Sequence, residues 1–295
     1  MREARFRVDT DYWSSSKSAL VCGGAGDHLV RYTTALRRLS EISIGRHAVI
    51  GGFAVMVRLA TAHRVTDDLD AVTWTEDGTP DAPIAVLLEH GATRSRNGVD
   101  LGDVHIDLIA VSDYEPNQLP VDVDDTLFVI THTYGLSSAT WLTIEARAAH
   151  EVSTRATARV ATRAALVAMK LRAMQQRQAN VLNKRASDAC DACRLLAAHD
   201  RDGSIARELA TAPDGLGAWC ISRAREVFDT NASLTRRWLA TGSPDMAAVS
   251  IDELRTVGSL FAGRGGLNIL GRVFWCTGFR VGRSSVRLGG RAAYG

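Results

Sequence analysis

The 295-residue sequence predicts an α/β domain with a small mixed sheet, followed by an α-helical domain. Two observations carry that expectation. The first half alternates short, β-rich apolar runs with helical patterns, and from about Ala161 onward the apolar residues recur with a period of 3.6. A third observation bounds it: 46% hydrophobic and 23% charged residues are ordinary globular usage. The boundary is expected between Glu151 and Ala161, giving residues 1–158 to the first domain and 159–295 to the second.

The elements follow in order. His47 to Ile50 reads as a short strand that ends at Gly51-Gly52, and the apolar run from Phe53 to Ala62 reads as a buried helix. Asp68 to Trp74 alternates as a strand does. Asp81 to His90 is helix-like, with Asp81 as the expected N-cap and Gly91 as the stop. Val104 to Val111 alternates again, with Val104, Ile106, Leu108 and Ala110 on one face and His105, Asp107, Ile109 and Val111 on the other. A hairpin is expected to carry Leu127–Ile130 and Trp141–Ile144. In the second half, Ala164, Leu166, Val167, Met169, Leu171 and Met174 form one wide apolar stripe, and Ala186 to His199 repeats the pattern. Further helices are expected at residues 204–211, 216–228, 233–241 and 246–262.

Composition excludes several classes. No stretch approaches the ~20 apolar residues a membrane helix needs, and no apolar signal core follows the charged N-terminus. The expected location is the cytoplasm, with no membrane partner. Five scattered cysteines make a poor disulfide framework, and the lone Cys190-x-x-Cys193 lacks the second pair a zinc site needs, so both are expected as small helical apolar residues. Net charge is only +2, yet no acidic residue follows Glu253, while Arg255, Arg264, Arg272, Arg280, Arg283, Arg287 and Arg291 do. Such a segment suits phosphates or, equally, a solvated surface in an arginine-rich chain. Only Lys17, Lys170 and Lys184 are lysine, which singles out each of them.

The residues with chemical potential cluster in order along the chain. Asp68 and Asp70, two apart on a strand, leave on one face with Cα atoms roughly 6.5 to 7 Å apart. Asp107 on a neighbouring strand supplies a third carboxylate. Carboxylates so placed repel unless a cation lies between them, and hard divalent ions such as Mg²⁺ or Mn²⁺ take this oxygen set together with substrate phosphates. Gly51-Gly52 ends a strand and opens a helix, where bare backbone can approach a phosphate. Each feature alone is commonplace, since an Asp-x-Asp is more often a solvated strand end. Their order and placement together are specific. Thr66 beside the carboxylates contacts a phosphate or caps a turn, and His63 and His105 are read as support or surface.

The segment Ile50-Gly-Gly-Phe-Ala-Val-Met-Val-Arg58, with His63-Arg64-x-Thr66-Asp-Asp-Leu-Asp70, resembles the first motif of the nucleotidyltransferases of the DNA polymerase β superfamily, and within it of the AbiEii/MenT-type toxin nucleotidyltransferases of toxin–antitoxin systems. Fifteen residues separate Gly52 from Asp68, slightly more than that motif allows. Ala165 to Met174, then Arg177, Lys184-Arg185 and Asp188-x-x-Asp191, resembles the helical motif of the same family. The resemblance implies Gly51 and Gly52 at the phosphates of an incoming NTP, Asp68 and Asp70 as metal ligands, and Lys170 with Asp188 completing the site, Asp191 being the rival. Physically, Lys170 interrupts an apolar helix face and must snorkel or meet an anion there, either a triphosphate or a structural partner such as Asp188.

The expected chemistry is therefore transfer of a nucleoside monophosphate from an NTP to an acceptor hydroxyl. Asp68, Asp70 and Asp107 would bind the metal, Asp107 would help deprotonate the acceptor, and Lys170 would hold the triphosphate. The resemblance implies tRNA, at its 3′ end, as acceptor, with a cognate antitoxin as partner. A small-molecule nucleotidyltransferase of the antibiotic-modifying type is the alternative, and a catalytically silent binding protein is a third possibility. The concentration of carboxylates on one face argues against the last.

Overall fold

A computed structural model describes residues 18–22, 28–64, 66, 68–96, 98–114, 119–120, 122–148, 151–176, 182–200, 202–261 and 263. The arginines expected to form a basic tail after Arg255, the third lysine Lys17, and Arg177 lie outside these residues.

The chain builds one eight-stranded mixed sheet and then helices. The strands are β1 (Ser18–Cys22), β2 (His47–Val49), β3 (Asp68–Trp74), β4 (Thr93–Ser95), β5 (Gly98–Leu101), β6 (Val104–Val111), β7 (Thr140–Ala148) and β8 (Glu151–Val160), in the order β1-β7-β8-β2-β3-β6-β5-β4. Helix α1 (His28–Glu41) precedes β2, α2 (Gly51–Leu59) joins β2 to β3, α3 (Asp81–Glu89) follows β3, and α4 (Val123–Ser138) follows β6. After β8 the described residues contain helices only: α5 (Arg163–Gln176), α6 (Leu182–His199), α7 (Ser204–Ala210), α8 (Leu216–Ala224), which runs into a π-helical segment (Arg225–Thr230), α9 (Ala232–Leu239), α10 (Pro244–Ala247) and α11 (Ile251–Phe261). The α/β part with a mixed sheet, followed by helices, is the architecture the apolar periods predict. Among the described residues no helix is long and apolar enough to cross a membrane.

Packing explains the patterns. In α2, Phe53 through Val57 are all buried, so this helix lies within the core and its sequence shows no polar face. Burying each of the larger side chains, Phe53, Val55, Met56 and Val57, stabilises the fold by roughly 1.5–3 kcal/mol. Helix α1 lies on β7 and β8, where Thr34 meets Thr154, and α4 lies across β2, β3 and β6. Helices α5 and α6 pack on α2, which carries their polar residues toward the starts of α2 and β3. Cys190 and Cys193 are buried free thiols on α6, small apolar residues as expected.

Four expectations need correction. Leu127–Ile130 is not a strand of a hairpin: it lies in α4. A four-residue apolar run cannot be told from a buried helix segment by periodicity, and Asp122, whose side chain accepts from the backbone of Asp124 and Asp125, caps the helix there. Asp81 is the first residue of α3 and not its cap, which is Pro80, so its charge complements the helix dipole and faces Arg94 at 3.9 Å instead of capping. The stretch expected as one helix over 246–262 divides into α10 and α11, and α8 stops at Ala224 where the wider π turn takes over. Strands β1, β4, β5 and β8 carried no signal strong enough to be predicted. β8 occupies the stretch where the domain boundary was expected.

Candidate active site

Strand pairing brings the three carboxylates together. β3 and β6 run parallel with Asp70 opposite Asp107 and Asp68 opposite His105, so Asp68, Asp70 and Asp107 share one sheet face at one end. One carboxylate oxygen from each lies within 4.8 Å of the others. Support comes from behind. Thr66 donates its hydroxyl to Asp68 Oδ1 at 3.2 Å, and its own carbonyl accepts from Tyr32 Oη at 2.7 Å. Thr66 is buried beside Asp68, so the structure places it against a carboxylate. His105 Nε2 lies 2.9 Å from Asp107 Oδ1 and Nδ1 lies 2.7 Å from Asp100 Oδ1. Burial disfavours the imidazolium, but the hydrogen bonds to Asp100 and Asp107 outweigh it and raise the pKa of His105.

Asp70 holds the innermost position. It has no hydrogen-bond donor among the described residues, and burial, reinforced by the charge of Asp68, pushes its carboxyl up to about 6. Three converging carboxylates with so few donors are a good fit for a hard divalent cation, which would relieve the repulsion. Asp68, Asp70 and Asp107 are the residues that would hold it.

The two glycines are required by this cluster. Gly51 has φ +69°, and a Cβ there would overlap the Asp70 carboxylate. A Cβ on Gly52 would overlap the Arg64 guanidinium and press on Thr66 Oγ1. The N-cap of α2 is Ile50, which makes no side-chain cap, so the first turn keeps backbone N–H groups for an anion. Gly51→Ala is expected to cost about 1–2 kcal/mol through the positive φ alone, and to displace Asp70 as well. Thermal unfolding would register the first effect, and a metal titration the second.

Beside the cluster lies a buried ionic network. Asp191, fully buried on α6, accepts four bonds: Oδ1 from His63 Nε2 (2.8 Å) and Arg64 Nε (3.0 Å), Oδ2 from Arg64 Nη2 (2.8 Å) and Lys170 Nζ (3.0 Å). Lys170 also donates to Asp188 Oδ1 at 2.9 Å. Burial alone would push Asp191 up, but Lys170, His63 and Arg64 hold its carboxyl far below the usual range. Lys170 itself is raised: burial opposes its charge, and Asp188 and Asp191 overcome that. A depressed carboxylate stabilises the fold above its unfolded value near 4, and that stability is lost as pH falls toward its folded value. Acid unfolding of the wild type is therefore expected to lose, below about pH 4, a contribution that an Asp191→Asn variant never had.

The structure thus brings Gly51, Gly52, Thr66, Asp68, Asp70 and Asp107 to one place, with Lys170, Asp188 and Asp191 adjoining: Lys170 and Asp188 both act on the charge of Asp70. Lys170 has the structural partners that sequence left as one option. Sequence reasoning missed Arg64, which clamps Asp191 with two nitrogens, and gave His63 and His105 no definite role. The contacts of Arg64 and His63 span more than 120 residues, which no local spacing rule reaches.

No family model matches the chain, and no curated protein does. Among solved structures, it is similar to an antigenic nucleotidyltransferase-like protein from Paracoccidioides brasiliensis, with TM-score 0.43 and 14% identity over 72% of this chain and 94% of that one. It is also similar to ANT(2″)-Ia in complex with adenylyl-2″-tobramycin, with TM-score 0.33 and 15% identity over 66% and 96%. A solution structure of ANT(2″)-Ia gives TM-score 0.32 and 17% identity over 56% and 80%. These overlaps are too loose to decide a family.

Proposed function

We propose that this protein is a metal-dependent nucleotidyltransferase that moves a nucleoside monophosphate from an NTP to an acceptor hydroxyl, releasing pyrophosphate. The observation that carries the reading is the convergence of Asp68, Asp70 and Asp107 beside a glycine-opened helix N-terminus. A divalent cation held by the three carboxylates would neutralise charge on the reacting phosphate and lower the pKa of the acceptor hydroxyl. The first turn of α2, with Gly51 and Gly52, binds the triphosphate through its N–H groups. Lys170, held between Asp188 and Asp191, keeps one ammonium hydrogen for a phosphate oxygen. Asp107, oriented by His105, takes the acceptor proton. Asp191 has its oxygens filled by His63, Arg64 and Lys170, which leaves Asp188 as the helical carboxylate that acts on the site. Such catalysis is mainly positioning and charge neutralisation.

The acceptor in this reading is RNA, specifically tRNA at its 3′ end, and the enzyme acts as a cytoplasmic toxin restrained by a cognate antitoxin. The motif resemblance supports this finer assignment. The test is incubation of the protein with total tRNA, Mg²⁺ and each α-³²P-labelled NTP in turn, read on a denaturing gel. Label on tRNA from one NTP is the expected result. No label on tRNA, with pyrophosphate released in the presence of an aminoglycoside, would replace the RNA acceptor with a small molecule.

A further inference from the structure

Among the described residues, the face of the sheet that carries the aspartates is only partly covered. Val49 pairs with Ala71 and with Val160, and Val160 with Thr140, so the alternation puts Trp141, Thr143, Glu145 and Arg147 of β7 and Arg155, Thr157 and Arg159 of β8 on the face of Asp68, Asp70 and Asp107. Helix α4 covers β2, β3 and β6, and Arg159 marks its border by donating to the carbonyls of Leu136 (2.9 Å) and Ala139 (3.2 Å) at its end. Beyond it β7 and β8 are open among the described residues. Trp141 stands 60% exposed, directly opposite Arg159, and the Thr143 and Thr157 hydroxyls meet beside them.

The charge here is one-sided. Glu145 is the one acidic residue among these strand positions, and it is buried beneath Arg147 (2.8 Å) and Arg155 (2.5 Å), whose side chains stay 39% and 57% exposed. Arg159 donates to carbonyls, and exposed Arg46, just before β2 and bonded through its carbonyl to Trp74 N (2.9 Å), continues the β2 alternation onto this same face beside it. Four arginines against one glutamate, with an exposed indole among them, match a polyanion that has planar groups to stack.

We propose that the open β7–β8 face binds a single-stranded RNA segment, with a base stacked on Trp141 and phosphates on Arg46, Arg147 and Arg155. The inference rests on the nucleotidyl-transfer reading for its biological sense, because this face would hold the acceptor strand whose end reaches the aspartates. Trp141 lies three strand spacings from Asp70, roughly 14 Å across the sheet, and because α4 lies between them on this face the RNA would run past the end of α4 that Arg159 holds to reach the aspartates.

The experiment is fluorescence anisotropy of a short labelled single-stranded RNA with the full-length protein, in EDTA and without NTP, over a range of salt. Trp141→Ala is expected to weaken binding about tenfold, with Trp141→Phe restoring most of it. Arg155→Ala is expected to reduce the slope of log K against log salt by about 0.7. Trp141 is exposed, and Arg155→Ala leaves the buried Glu145 still paired with Arg147, so both variants are expected to fold, and circular dichroism with thermal melting checks this. Unchanged affinity and slope in both variants would overturn the proposal and leave the face to an acidic protein partner. Absence of RNA binding by the wild type would overturn it too. The readouts separate the two readings: RNA lost by the variants with no label transferred from any NTP keeps the face and removes the reaction. Label transfer with RNA binding unaltered in the variants does the reverse.

Discussion

Asp70→Asn is expected to lower nucleotidyl transfer by roughly 10³-fold while making the metal-free protein more stable. Both effects have one cause. The Asp70 carboxyl sits in a partly buried position, facing Asp68 and Asp107 without a hydrogen-bond donor among the described residues, and burial with the Asp68 charge raises it to about 6. A folded pKa above the unfolded one means that the native state binds the proton more tightly. Stability is then full below about pH 4 and declines as pH rises through 6. At neutral pH the ionised group costs on the order of 3 kcal/mol, which the amide removes, so in EDTA the variant should melt roughly 5 °C higher. In excess Mg²⁺ the order should close or reverse, because only the wild type gains from the ion. A variant that melts lower than wild type in EDTA would show that Asp70 is a structural anchor.

Asp191→Ala is expected to have the opposite profile. It removes the acceptor of four bonds and strands His63, Arg64 and Lys170 in a buried site. Breaking a buried ion pair from one side typically costs about 3–5 kcal/mol, because the remaining charges are uncompensated. The melting temperature should fall by roughly 5–8 °C. Activity should fall with it, since Arg64 fills the space beside Gly52 and Lys170 adjoins Asp70. Asp191→Asn keeps the shape and some of the bonds, so it is expected to recover part of the stability. Equal melting temperatures for wild type and Asp191→Ala would remove the network from the account of the fold.

These two carboxylates show what the sequence could and could not disclose. Asp68 and Asp70 on one face follow from strand alternation alone, and β3 and β6 run over the residues predicted for them. Asp107 opposite Asp70 required only that two strands be neighbours in parallel register. The helices after β8 were legible because their apolar period is long and regular. Leu127–Ile130 was not, since four apolar residues have no period to read, and neither were β4 and β5, which are three and four residues long. The choice between Asp188 and Asp191 was likewise closed to sequence. They are one helical turn apart and chemically identical, and what separates them is Arg64 and His63 arriving from a distant loop.

Asp68, Asp70 and Asp107 converge as one candidate divalent-metal centre. Its most direct test is an electron paramagnetic resonance titration of Mn²⁺ into the wild type and Asp70→Asn. A bound-Mn²⁺ population is expected in the wild type and is lost in Asp70→Asn. Identical titrations of the two proteins would contradict it.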